Sequence, residues 1–462
     1  MKNSSERGKK IRYEKLFRTM SFARKHQTRT EIPVSKPKTF QKENVKVVNK
    51  SGIKKTHSLE NTFRLPKAPA VVVGTCGHGL TLLRSLAGSD LPLIALEANS
   101  DLPGVHTNLA TVEIVADING PQLIDILIQL RSRIYCPGMP VLFLTNDAMV
   151  RTVCLGWYRL ADKYRLSWSD CVENVLPMLD KKSLEARSHR QGLNYPESFI
   201  IACEADVQKA IDKIGFPMIV KPTHSLKSFK TFMPKSTESL LGWVKKYCVD
   251  LPFIAQKFIS GEERETFFSA LYLDHGKVLA RFDGRKVRSR PIGHTTIAES
   301  FPDDEVYQQT LRFFDGLKLS GPVSLELKRA PDRSLWVIEP TVGRTDFWIG
   351  LCTANAVNLP IIDYNHQVGK TVPEMRQSNE AVWFNEERDP LGRAWFAVQP
   401  NLTMNGRHST YLYLYLEDLR PAQKALRIII WKFIRKTSSF PNKLGMMAFE
   451  ALKRLSKPFP ES

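Results

Sequence analysis

Gly215-Phe-Pro-Met-Ile-Val-Lys221-Pro222 is the stretch on which the reading of this chain turns. The β-branched pair Ile219-Val220 favours a strand, and Pro222 ends it. Lys221 at the exit places a cation on a rigid element. Upstream, EADVQKAIDKIG (204–215) has the spacing of an amphipathic helix. Downstream, strands are expected at Phe253–Phe258, Thr266–Leu273, Lys277–Asp283, Val323–Lys328 and Leu335–Glu339. Few helices interrupt them, so this half of the chain reads as α+β.

Four further segments flank that strand in order: Asp180-Lys181-Lys182; Gln256-Lys257-Phe258-Ile259-Ser-Gly261-Glu-Glu-Arg-Glu265; Ser324-Leu-Glu326-Leu-Lys328; and Val337-Ile338-Glu339-Pro340-Thr341. Together the five resemble the ATP-grasp superfamily over roughly residues 68–370. Ala280–Arg288 with Gly293-His-Thr-Thr296 and Glu299 resembles its carboxylate–amine ligase branch, near the D-aspartate ligase-like proteins. The resemblance implies an α/β and α+β chain: an ATP-grasp fold behind an N-terminal, Rossmann-like βαβ domain. The divisions expected are a basic, mostly disordered tail (1–65), a βαβ domain (66–150), a helical linker (151–200), the ATP-grasp domain (201–370), an extension (371–418) and a basic amphipathic helical tail (419–462).

The resemblance also assigns roles. Lys181 and Lys221 would neutralise phosphate charge without blocking the in-line path. Gln256, Lys257, Phe258 and Ile259 match the hinge that presents backbone groups to adenine, and Glu265 matches a ribose-binding position. Glu326 and Glu339 lie on adjacent strands, where facing carboxylates repel unless a cation lies between them; hard oxygen donors with phosphate suit Mg2+. The usual Glu-x-Asn has become Glu339-Pro340-Thr341, so Thr341 stands as the third metal position and the count of one or two ions stays open. Arg344 is the nearest candidate for contacting the transferred phosphoryl group. Arg285, Lys286 and Arg288, alternating along a strand edge, would bind the carboxylate substrate or its acylphosphate. His294 and Thr295-Thr296 read as a mobile loop.

The N-terminal half has another texture. AVVVG (70–74), LPLIALEAN (91–99) and PVLFLTND (140–147) are buried strands around the helix QLIDILIQLRSR (122–133). The turn Gly74-Thr-Cys-Gly77-His-Gly79 has neither the dinucleotide nor the P-loop spacing. It is either a structural turn or one that touches substrate.

Charge completes the reading. The net +20 is concentrated in residues 1–65, at +13, and 419–462, at +8, leaving the middle at −1. A nucleic-acid enzyme carries its basic charge on the folded groove, so no specific nucleic-acid partner is expected. Seven scattered cysteines without a C-x-x-C pair point to reduced thiols in a cytoplasmic protein. A helix after Pro421 has Leu426, Ile429, Ile430, Phe433 and Ile434 on one face and Lys424, Arg427, Lys432, Arg435 and Lys436 largely opposite. It suits either docking on the core or contact with an anionic membrane at its inner face. The expected activity is ATP- and Mg-dependent joining of a small-molecule carboxylate to an amine, in a monomer or homodimer. A phosphotransferase or a non-catalytic nucleotide-binding regulator are the rivals.

Overall fold

A computed structural model describes residues 62–223, 228–291 and 293–437, plus two short strands before them. The helix expected near Ile11–Phe22 lies outside the described residues, as do the side chains after 431. The two early strands, β1 (Lys46–Val48) and β2 (Lys54–Thr56), fall in the stretch expected to lack structure. They form a hairpin on the outer edge of the first sheet.

That sheet contains β4 (Ala70–Val73), β5 (Leu93–Glu97), β6 (Thr111–Ile114) and β8 (Val141–Leu144). Its order is β2-β1-β6-β5-β4-β8, and the last four strands are parallel. β4, β5 and β8 are buried along their whole length. Helices cover both faces, and that is why these strands read as unbroken apolar runs. β3 (Phe63–Arg64) and β7 (Ile134–Tyr135) make a small separate pair.

The decisive stretch lies in a three-stranded antiparallel sheet of β9 (Ser198–Ile201), β10 (Met218–Pro222) and β11 (Phe253–Lys257), ordered β10-β11-β9. Met218 and Val220 pack against Leu240, Val244 and Phe253. Period-two alternation therefore leaves Ile219 and Lys221 on the other, less buried face.

A seven-stranded sheet follows: β12 (Thr266–Asp274), β13 (Lys277–Ser289), β14 (Thr295–Ser300), β15 (Gly321–Arg329), β16 (Leu335–Val342), β17 (Ala381–Phe384) and β18 (His408–Tyr411), ordered β16-β15-β12-β13-β14-β17-β18. Two expectations change here. Thr295 and Thr296 open the buried strand β14 rather than a mobile loop. The 371–418 segment supplies β17 and β18, so it extends the sheet instead of trailing from it.

One core joins the first and last sheets: Leu144, Met149 and Trp168 pack with Leu325, Val337 and Val342. The C-terminal helix, Leu419–Thr437, docks through Ala422 and Ala425 on a core that includes Phe268, Trp348 and Trp383, while Leu426 is exposed and Ile429 and Ile430 are half-buried. Among the described residues, no helix is long and apolar enough to cross a membrane.

Candidate active site

The site lies where β10 faces the β15–β16 pair. Glu326 and Glu339 are direct cross-strand partners, so their carboxylates leave the sheet on one face. A carboxylate pair of this kind needs cations, and the chain supplies them. Lys181 Nζ is 3.2 Å from Glu339 Oε1, and Lys286 Nζ is 2.5 Å from Glu326 Oε2. Lys181 opens the Lys181–Arg190 helix, whose N-cap is Asp180; Lys182 beside it is exposed. Burial by itself would push the Glu339 carboxyl up, but Lys181, Lys221 and Lys230 outweigh it and hold it far below the usual carboxylate range. Burial likewise lowers Lys221 to about 8, against the opposing pull of Glu339. Lys230 is the member that the sequence reading missed. It lies beyond β10 in no periodic segment of the sequence, and only the fold brings it to Glu339.

Thr341 is otherwise engaged. Its hydroxyl donates to Asp346 Oδ1 at 2.8 Å, and its cross-strand partner Ser324 donates to the other oxygen of the same carboxylate. Burial holds Asp346 above the usual range despite Arg344 nearby. The Thr341 hydroxyl proton is therefore committed to Asp346, while its oxygen lone pairs are not. Arg344 Nε donates to Asp147 Oδ1 at 2.7 Å, and its Nη1 lies 3.8 Å from Asp346. Asp147 begins the Asp147–Gly156 helix that follows β8, so Arg344 ties the loop after β16 to the first sheet beside the carboxylate pair.

The hinge connects the small sheet to the large one. Gln256 is buried; its amide donates to Tyr195 Oη at 3.0 Å and Ser198 Oγ at 3.1 Å, and it lies in the central strand of the small sheet, so its side chain holds that sheet together. Lys257 is exposed, and Phe258 and Ile259 are half-buried just past the strand. Glu265 Oε2 is buried without a hydrogen-bond partner, an acceptor that a pair of ligand hydroxyls would satisfy. Lys328, a potential partner for Glu326, instead donates to the carbonyls of Gly261 and Glu262 and fixes that turn.

Of the basic trio on β13, only Lys286 reaches the carboxylates. β13 is an interior strand between β12 and β14, not an edge. Alternation sends Arg285 to the opposite face, where its Nη2 is 2.8 Å from Glu299. A β-bulge between Lys286 and Arg288 breaks the alternation. Arg288 then meets Asp389 at 2.9 Å and stacks on Trp395. The structure gives both arginines structural partners rather than a place beside the carboxylate pair.

The Gly74–Gly79 turn is closed. A Cβ on Gly79 would lie 1.9 Å from the Gly74 carbonyl, so the helix start and the turn must touch. Glu97, at the end of β5, accepts from Thr75 N at 2.7 Å and from Ala98 and Asn99 N. Leu412 packs over Gly77. The helix N-terminus that might take an anion is thereby covered.

No family model matches the chain. Among curated proteins it is similar to D-alanine–D-alanine ligase B of Pseudomonas putida KT2440, 24% identical over 182 residues, 36% of this chain and 56% of that protein. It is also similar to the D-alanine–D-alanine ligase of Ectopseudomonas mendocina, 30% identical over 86 residues, 18% of this chain and 28% of that one. The chain spans about half the length of these relatives or less. In structure it is similar to the carboxyaminoimidazole ribonucleotide synthase of Aspergillus clavatus complexed with ATP, at TM-score 0.55 and 12% identity, covering 72% of this chain and 87% of that one. The ADP complex of the Staphylococcus aureus N5-carboxyaminoimidazole synthetase gives TM-score 0.54 at 13% identity, covering 74% and 89%. These likenesses establish the fold as ATP-grasp, the architecture that the five segments imply.

Proposed function

We propose that this protein is an ATP- and Mg-dependent ligase that joins a carboxylate to an amine through an acylphosphate. One observation carries the reading: Lys181, Lys221 and Lys230 converge on Glu339, whose cross-strand partner Glu326 is held by Lys286. Such a cluster has no structural economy without a ligand, because half-buried lysines and carboxylates cost desolvation that a hydrophobic cleft would avoid. Polyphosphate resolves it. The lysines turn to phosphate oxygens, and the freed carboxylates are the hard donors that Mg2+ takes. Bound there, the ion would shield charge on the phosphates. Glu326 and Glu339 would hold it, and the Thr341 hydroxyl, which donates its proton to Asp346, keeps its oxygen lone pairs as a third donor. The chain's similarity to D-alanine–D-alanine ligases and to ATP-grasp structures solved with ATP and ADP supports the nucleotide and the reaction class.

In this reading the nucleotide lies between the two sheets, with the base at Lys257–Ile259 and the ribose hydroxyls on Glu265. The substrate carboxylate attacks the γ-phosphorus as the bond from that phosphorus to the bridging oxygen breaks, which releases ADP and leaves an acylphosphate; Lys221, Lys230 and Arg344 stabilise charge spreading over the transferred group. Amine attack on the acylphosphate expels phosphate and leaves the amide; the amine proton passes to solvent or to phosphate. Incubation with ATP, Mg2+ and pooled amino acids tests it: ADP and phosphate should form in equal amounts, and only when an amine is present. Amine-independent ADP with a phosphorylated product would make it a phosphotransferase. Nucleotide binding without turnover would make it a regulator.

Two finer readings accompany this one. ATP and free thiols suit the cytoplasm, and exposed Leu426 between Lys424 and Arg427 suits contact with anionic lipid. Co-sedimentation with anionic and neutral vesicles tests the second, and light scattering tests assembly as a homodimer.

A further inference from the structure

We propose that His78, the histidine inside the Gly77-His-Gly79 turn, is a positioning residue that aims Arg344 by holding Thr345 from the first domain. The inference rests on the ligase reading, which places Arg344 at the transferred phosphoryl group.

His78 occupies the start of the Gly77–Ala87 helix and is 2% exposed. Its Nδ1 lies 3.1 Å from the Thr145 carbonyl oxygen, and its Nε2 lies 2.9 Å from Thr345 Oγ1. A carbonyl can only accept, so Nδ1 carries the proton. Nε2 is then an acceptor, and the Thr345 hydroxyl must donate to it. Both ring nitrogens are therefore committed, and neither can serve a substrate. Burial, with the neighbouring Arg344 guanidinium, lowers this imidazole to about 3, so the neutral tautomer persists across working pH.

The held residue matters because of its neighbours. Gly343 through Asp346 is the loop that leaves β16 just after Glu339, and each of its ends is pinned. Gly343, at φ +72°, accepts from Trp168 Nε1 at 2.9 Å, and a Cβ there would meet Val150 at 2.9 Å. Asp346 takes the hydroxyls of Ser324 and Thr341. Between these anchors, His78 fixes Thr345, whose carbonyl accepts from Arg344 Nη1 at 3.0 Å. Arg344 is thus set by Asp147 on one side and by the loop that His78 clamps on the other. This also explains the turn's odd glycine spacing. Gly79 lets the helix begin against the Gly74 carbonyl, and that contact carries the His78 ring across the domain boundary.

The test is kinetic and uses the full chain. Thr345→Val removes the hydroxyl with little change of volume; Thr345→Ser keeps it. The Val variant should lose about tenfold or more in kcat, since small misplacements at a reacting centre cost rate. Its ATP affinity by calorimetry and its melting temperature should stay near wild type. The Ser variant should recover most of the lost kcat. His78→Leu, if it folds, should lower kcat similarly, and adding Thr345→Val to it should cost little more, because both remove one contact. Wild-type kcat in folded Thr345→Val overturns the proposal. So does an equal loss in the Ser and Val variants, or a loss that merely tracks the unfolded fraction. A wild-type protein that forms no ADP at all overturns the ligase reading first and takes this inference with it.

Discussion

Two fields of ion pairs lie on opposite faces of β13, and they are built from different cations. On the cleft face, Lys181, Lys221, Lys230 and Lys286 attend Glu326 and Glu339. On the other face, Arg285, Arg407 and Arg264 surround Glu299 at 2.8, 2.9 and 3.5 Å, while Arg288 pairs with Asp389. The arginines also stack: Arg285 lies 4.1 Å from the Phe301 ring centroid and Arg288 4.1 Å from that of Trp395. A planar guanidinium can hold a carboxylate and an aromatic face together, which makes a fixed joint. An ammonium on a flexible stem can leave a carboxylate for a phosphate, and that exchange is what a nucleotide site requires. Adjacent residues of one strand, Arg285 and Lys286, thus serve two purposes.

The contrast predicts different failures. Lys221→Ala or Glu339→Gln should lower turnover by 100-fold or more, on the order of 3 kcal/mol in the transition state. Melting temperature should barely move, which calorimetry beside an ADP assay would show. Unchanged nucleotide binding and turnover in both variants would remove the cleft from the chemistry. Glu299→Ala should do the reverse. Leaving several guanidiniums around an empty site costs about 3–5 kcal/mol of stability. Chemical denaturation should reveal that loss, with kcat per folded molecule preserved.

A smaller effect concerns pH. Lys221 is lowered to about 8, so its charge is lost as pH rises through 8, and ATP affinity should fall between pH 7 and 9. Lys221→Arg, which cannot deprotonate there, should flatten that profile even if it binds less well. Smallest is a buried acid in neither field. Asp363 accepts from Tyr272 Oη at 3.2 Å, and burial raises it to about 7. Its folded value exceeds the unfolded one, so its contribution is intact at acid pH and is lost as pH climbs toward 7. Asp363→Asn should therefore raise the melting temperature at pH 8 by a few degrees, about 1 kcal/mol or more, with a smaller gain at pH 5 and little change near pH 3.

Local chemistry made much of this legible. A strand ending in Lys221, a hinge, and two strands each carrying one glutamate are short-range patterns, and the structure puts Glu326 opposite Glu339 as strand spacing requires. Lys230 was not legible, because the sequence around it has no period to read. Arg288 misled because register shifts on either side of it undo an alternation that sequence alone extends. Thr341 was recognisable as a departure from Glu-x-Asn, but its commitment to Asp346 was not, since that contact needs the loop after β16 to fold back on the strand.

By itself, the sequence put one glutamate on each of two neighbouring strands and a lysine at the end of another, and gave the basic charge to the tails; that these groups meet was what the resemblance to ATP-grasp proteins implied. The placements follow from periodicity and composition, which act within a few residues. Only the tertiary structure decided which cations face the cleft, that Arg285 and Arg288 are joints, and that His78 reaches Thr345 267 residues away. Such choices depend on strand order, a bulge and domain packing. They are set by the burial of one core across the first and last sheets, and no local stretch of sequence encodes that.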